Sequence, residues 1–158
     1  MLTIYQTTAT DTITVSPKME RGCWIDLINP TEEEINYTSL CTQIPIDFLK
    51  YPLDDEEIPR VEVEEEQTMI IINVPVERDT DVIYDTIPLG IVLNDDYIVT
   101  VCLEDIRLNN DFVKNRVKGM TTYKKTRFIL QLFQKKTNLY LKYLRDISRH
   151  TDEIEQEL

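Results

Sequence analysis

At 158 residues and 18.6 kDa, with 42% hydrophobic residues, the chain is long enough for one domain with a substantial core. Its formal net charge of −12 and isoelectric point near 4.5 argue against a nucleic-acid partner, because phosphate backbones need clustered Lys and Arg on an accessible face. No cationic leader opens the sequence and nowhere do the ~18 consecutive apolar residues of a membrane span occur, so a soluble polypeptide is expected.

The first third reads as short strands over residues 2–7, 12–16 and 23–28. The last of these surrounds Trp24 with apolar neighbours, which predicts a core side chain rather than a ligand stack. Asn29-Pro30-Thr31-Glu32-Glu33-Glu34 then announces a helix: Thr31 and Glu34 have capping-box spacing, and the acids complement the positive end of the helix dipole. That helix should run to about Cys41. Pro45 starts a second, short helix through Phe48 and Leu49, which Pro52 stops.

From Asp54 to Glu66 there are eight carboxylates against one base, Arg60. Val61 and Val63 alternate with Glu62 and Glu64, as in a strand with one apolar and one wet face. A solvated face explains such a run without any metal. Arg60, after Pro59, is expected to make a structural ion pair with a nearby carboxylate. Residues 69–74 are apolar throughout apart from Asn73 and predict a central strand covered on both faces. Residues 82–93 and 97–103, joined by Asn94-Asp95-Asp96, predict a hairpin. The expected fold class is α/β (α+β), a mixed, largely antiparallel sheet packed between helices, with residues 1–108 as an acidic domain.

Residues 109–158 read as helical, broken near Gly119, and their charge is inverted. Residues 1–112 hold 24 acids and 6 bases, whereas residues 113–150 hold 11 bases and a single acid. Such a basic segment is expected to lie against the protein's own acidic surface or a neighbour's. Leu130, Phe133, Thr137, Tyr140, Leu144, Ile147, Thr151, Ile154 and Leu158 form a heptad-like seam, in which Tyr140, Leu144, Ile147 and Ile154 are the expected oligomer contacts. No Gly or Asn cap and no proline follows Ile154, so this helix reads as cut off rather than finished.

Cys23, Cys41 and Cys102 are odd in number, widely separated and flanked by apolar residues, which predicts buried, reduced thiols and a cytosolic setting. His150, the only histidine, is expected to be exposed, and one histidine cannot build a multi-histidine metal site. There is no Gly-rich phosphate loop or nucleophile elbow, and a hydrolase built on Asp79 and Asp81, or on Asp54 and Asp55, would rest on acidic pairs that recur by chance. The chain is not expected to be an enzyme. A freestanding acidic coiled-coil adaptor, self-associating through the seam over residues 130–158, is the alternative reading.

The ordered set Trp24-Ile25-Asp26-Leu27 before Asn29-Pro30-Thr31-Glu32-Glu33, Leu53-Asp54-Asp55-Glu56 before Ile58-Pro59-Arg60-Val61-Glu62, and Pro88-Leu89-Gly90-Ile91 before Ile98-Val99-Thr100-Val101 resembles the cytoplasmic domain of the CorA-like magnesium and cobalt transport proteins. The resemblance covers nearly the whole chain. It implies a homopentameric channel whose α/β domain forms a cytoplasmic funnel, joined by a long stalk helix to a pore this sequence lacks. On that reading the domain regulates and assembles the channel on the cytoplasmic side of the cell membrane, divalent cations are its partners, and the membrane is met only through helices after the stalk. Gly119-Met120-Thr121 merely echoes the family's Gly-Met-Asn pore motif, without the Asn and without a preceding apolar span.

Regulatory carboxylates of the family precede the stretch matching Leu53 to Glu57. Here those positions read Leu49-Lys50-Tyr51, and neither a lysine nor a tyrosine replaces a hard anionic ligand. The metal candidates are therefore Asp54, Asp55, Glu56 and Glu57, taking over from a shifted position. No cofactor is required, and magnesium or another divalent cation is the expected, weakly held ligand.

Overall fold

The structure, a computed structural model, describes residues 1–78 and 84–157, apart from the side chains of residues 107 and 108. Its strands are β1 (Leu2–Thr7), β2 (Ile13–Val15), β3 (Trp24–Ile28), β4 (Arg60–Glu64), β5 (Gln67–Glu77), β6 (Tyr84–Leu93) and β7 (Ile98–Cys102). They form one seven-stranded sheet in the order β2-β1-β3-β7-β6-β5-β4. Only β3 and β7 run parallel, with Trp24 opposite Ile98 and Asp26 opposite Thr100. A parallel pair needs a long connection, and here it is the whole stretch from α1 to β6. The expected mixed, largely antiparallel sheet is what forms.

Side chains alternate across this sheet, so each strand feeds two layers. Ile25, Leu27, Met69, Ile71, Val92, Val99 and Val101 meet Ile35, Ile44, Phe48 and Leu49 from the layer of α1 (Glu32–Thr42) and α2 (Ile46–Lys50). On the other face Trp24, Leu89, Ile91, Ile98 and Cys102 pack with Phe112, Phe128 and Leu132 from α3 (Arg107–Val113) and α4 (Lys125–Glu157). Each fully buried large apolar side chain contributes roughly 1.5–3 kcal/mol. Residues on both sides of position 108 thus share one core.

Local signals act as their chemistry dictates. The Glu34 backbone N–H donates to Thr31 Oγ1 at 3.2 Å and the Thr31 N–H donates to Glu34 Oε2 at 2.9 Å, a complete capping box. Glu34 Oε1 also accepts from the Leu2 N–H at 2.8 Å, which ties the start of α1 to the first strand. Helix α1 ends at Gln43, whose φ of 61° is left-handed and whose N–H reaches Ser39 O. After α2 the chain makes a single 3-10 turn, Tyr51–Leu53, that presses Pro52 into the sheet.

Two strand expectations need correction. Residues 69–74 do not form a central strand covered on both faces: β5 lies next to the β4 edge, and α4 crosses only part of the sheet, leaving Ile70 and Ile72 half-buried. In β4 the valine face is not covered either. Val61 is 63% and Val63 70% exposed, because β4 is the outermost strand and lies outside the cover of the described helices. Positions 79, 81, 82 and 83, including the Asp79 and Asp81 of the hydrolase reading, lie outside the described residues, as does Leu158 at the end of the seam.

Candidate functional site

The acidic run splits into a turn and an edge strand, held together by Arg60. Asp54 closes the turn: its N–H donates to Tyr51 O, its Oδ1 accepts from the Glu56 N–H at 3.0 Å, and its O accepts from the Glu57 N–H. The Arg60 guanidinium pairs with Glu57 on one side and with Glu62 Oε1 at 2.5 Å on the other, and lies 4.9 Å over the Tyr51 ring. Those carboxylates hold its pKa above the ordinary arginine value. Arg60 thus joins the turn to the edge strand through its ion pairs, and exposed Pro59 leads into β4.

For metal binding, the four candidates are not equivalent. Asp54, Asp55 and Glu56 are exposed, whereas Glu57 is held by Arg60 and also accepts from the Ile58 N–H at 3.0 Å. Among the described residues no three His, Cys, Asp or Glu side chains gather closely enough to enclose an ion. What the turn offers is three solvated carboxylates, suited to a cation that keeps several of its waters. The two positions that lack family-type carboxylates are spoken for: Lys50 Nζ pairs with Glu32 at 2.8 Å, and Tyr51 lies under Arg60.

A polar cluster that sequence reasoning left without a role sits in the middle of the molecule. Asp26 on β3 is 4% exposed, and its Oδ1 accepts from Thr100 Oγ1 at 2.6 Å and from Asn109 Nδ2 at 3.1 Å. Trp24 Nε1 donates to the same Thr100 hydroxyl at 2.8 Å, while its ring packs against Tyr5, Phe112 and Phe128. Trp24 is completely buried. Burial pushes the Asp26 carboxyl up to about 6, against the pull of its Thr100 and Asn109 hydrogen bonds. The available signal was an acid inside the apolar strand Trp24-Ile25-Asp26-Leu27-Ile28.

Helix α4 presents two different stripes. Phe128, Leu132, Leu139 and Tyr143 turn toward the sheet. The heptad-like seam is rotated away from them. Phe133 and Tyr140 are half-buried, and the Tyr140 hydroxyl donates to Asn73 O at 3.3 Å. Farther along, Leu144 is 56%, Ile147 44% and Ile154 61% exposed. Tyr140, Leu144 and Ile147 also line an open groove of about 320 Å³ against Pro75 and Tyr84, where Tyr84 stacks on Tyr143 with ring centres 4.5 Å apart. Leu144, Ile147 and Ile154 thus form an exposed apolar row along one side of α4.

The cysteine expectation holds only for Cys23 and Cys102, which are buried free thiols pushed by desolvation to about 11. Cys41 is exposed, on the outer face of α1, since only Ile35, Thr38 and Thr42 of that helix turn inward. His150 is exposed. No helix of the described residues is long and apolar enough to cross a membrane.

Residues 20–158 match the family model described as CorA-like Mg2+ transporter protein. The curated cobalt/magnesium transport protein CorA of Methanocaldococcus jannaschii is 27% identical over 167 residues, which cover 95% of this chain and 50% of that protein. The chain therefore spans half the length of that relative. The soluble domain of CorA from the same organism superposes with a TM-score of 0.81 at 22% identity, covering 100% of this chain and 64% of that one. The complete CorA magnesium transporter from that organism gives 0.82 at 21% identity, over 99% of this chain and 50% of the other. The cytoplasmic domain of ZntB from Vibrio parahaemolyticus gives 0.74 at 13% identity, over 96% and 63%. These structural likenesses establish a shared fold.

Proposed function

The chain belongs to the CorA-like Mg2+ transporter family, and from that premise we propose that it is the cytoplasmic regulatory and assembly domain of a divalent-cation transporter. It carries out no chemistry of its own. Its work is to associate with further copies of itself, in the full transporter a pentamer, and to present its acidic turn to magnesium or cobalt. The observation that carries this reading is the outer row of α4, where Leu144, Ile147 and Ile154 stand exposed. The relatives it matches are transport proteins, and nothing in the family match favours a freestanding coiled-coil adaptor.

The domain reading makes cation binding secondary in the isolated chain. Asp54, Asp55 and Glu56 attract a hydrated divalent ion, but the described residues of one protomer supply no enclosing set of ligands. Regulation then needs ligands or field from a neighbouring copy. The experiment is sedimentation velocity across a concentration series, with the intact chain and the Leu144→Glu/Ile147→Glu variant. Reversible self-association of the intact chain, abolished in the variant without loss of helix content, supports the proposal. A chain that stays monomeric at high concentration, with and without magnesium, removes it.

A further inference from the structure

The loop between α3 and α4 builds a basic cleft that neither the assembly row nor the acidic turn uses. The cleft, about 330 Å³ in volume, lies between this loop and α4 and is lined by Arg116, Lys118, Lys135, Gln131, Gln134 and Asn138. Pockets of this size accept small molecules. Among the described residues the carboxylate that pairs with these bases is Asp111, bound by Lys135 Nζ at 2.9 Å and approached by Arg116 at 3.7 Å. Lys135, then Arg116 and Lys114, hold the Asp111 carboxyl below its ordinary value. Three bases, Arg116, Lys118 and Lys135, line the cleft, and among the described residues Lys118 makes no ion pair. In a chain of net charge −12 this is a local excess of positive charge, only partly offset by Asp111.

The cations are held in place by backbone that is pinned on both sides. Asn115 adopts a left-handed φ of 55° and exchanges two hydrogen bonds with the edge strand β2: its Oδ1 accepts from the Ile13 N–H at 2.6 Å and its Nδ2 donates to Ile13 O at 3.1 Å. Across the cleft, Gln131 Nε2 donates to Lys118 O at 3.0 Å, fastening the far end of the loop to α4. Gly119, at φ 68°, lies so close to Arg127 that a Cβ there would meet its guanidinium at 2.7 Å. The loop is therefore a fixed support that keeps Arg116 and Lys118 opposite Lys135. Guanidinium and ammonium groups around a cleft with side-chain amides form a donor set for a phosphate group.

We propose that this cleft binds a phosphate group carried by a small molecule or a lipid headgroup, with Lys118, Arg116 and Lys135 as its charged donors. Asp111 competes for two of them, so it sets the affinity. The test follows amide chemical shifts of the full 158-residue chain during titration with inorganic phosphate and with pyrophosphate, against sodium chloride at matched ionic strength. Saturable shifts confined to residues 114–118 and 131–138 are expected, with affinity lowered about tenfold in Lys118→Gln. The same loss of charge in Lys142→Gln, elsewhere on α4, should leave affinity unchanged, and Asp111→Asn should tighten binding by freeing Lys135 and Arg116. Co-sedimentation with vesicles of neutral lipid, with and without anionic phospholipid, separates the sources. Vesicle binding that phosphate displaces and Lys118→Gln abolishes assigns the headgroup, and phosphate binding without vesicle binding assigns a soluble ligand. Shifts that track ionic strength alone, or equal losses in Lys118→Gln and Lys142→Gln, overturn the proposal.

Discussion

Gly90 and Pro52 touch where no side chain could intervene: a Cβ on Gly90 would lie 2.9 Å from Pro52 Cβ and closer still to its Cγ. The 3-10 turn that carries Pro52 therefore rests directly on the backbone of β6, and it delivers the acidic turn to the edge of the sheet. Gly90→Ala is expected to destabilise the domain by about 1–3 kcal/mol, the usual cost of forcing a methyl group into a closed core. Urea unfolding measures this. An unchanged midpoint would mean that the Pro52 contact is easily given up.

Asp26 makes the stability of the domain depend on pH in a defined direction. Its folded-state value of about 6 lies above the ordinary 3.8, chiefly through burial, with Asp105 adding to the effect. Between those two values the native state keeps a proton that the unfolded chain has lost, so stability falls as pH rises through this window. The cost is fully present above pH 6 and vanishes below 3.8. Asp26→Asn keeps an acceptor for Thr100 and Asn109 but does not ionise. It should exceed the wild type by on the order of 2–3 kcal/mol at pH 7 and by much less at pH 4.5. A difference that does not change with pH would show that Asp26 is not the titrating group.

The acidic run should respond to salt more than to magnesium as such. Asp54, Asp55 and Glu56 repel one another in solvent, and screening relieves this. Thermal unfolding in millimolar magnesium is expected to match potassium chloride at equal ionic strength, in the intact chain and in Asp54→Asn/Asp55→Asn alike. Specific binding to the folded state would instead add about 2.7 kcal/mol at a hundredfold excess over Kd. A large magnesium-specific rise that disappears in the double variant would make these aspartates ligands.

What could be read in the sequence was what local chemistry decides. Thr31 and Glu34 fix the start of α1, Pro52 ends the second helix, and Asn94-Asp95-Asp96 turns β6 into β7. What could not be read depended on which layer covers which strand. Val61 and Val63 have the alternation of a half-buried strand, but β4 lies beyond the reach of α4, and nothing in its own residues says so. Cys41 has apolar neighbours and still faces outward, because the inward side of α1 is set by Ile35, Thr38 and Thr42. The Asp26 network was hidden for a related reason: its partners Thr100 and Asn109 are 74 and 83 residues away, joined to it only by the parallel pairing of β3 with β7 and the packing of α3.

Magnesium flux is the direct readout of whether this domain can assemble and serve a divalent-cation transporter. The measurement joins residues 1–158 to the half of the Methanocaldococcus jannaschii CorA protein that this chain does not cover, and follows magnesium entry into vesicles containing the purified chimera. Magnesium entry is expected with the intact domain and should be lost in Leu144→Glu/Ile147→Glu, where the outer row of α4 can no longer pair. A chimera that inserts and assembles but carries no magnesium, or one whose flux is indifferent to the double variant, would contradict it.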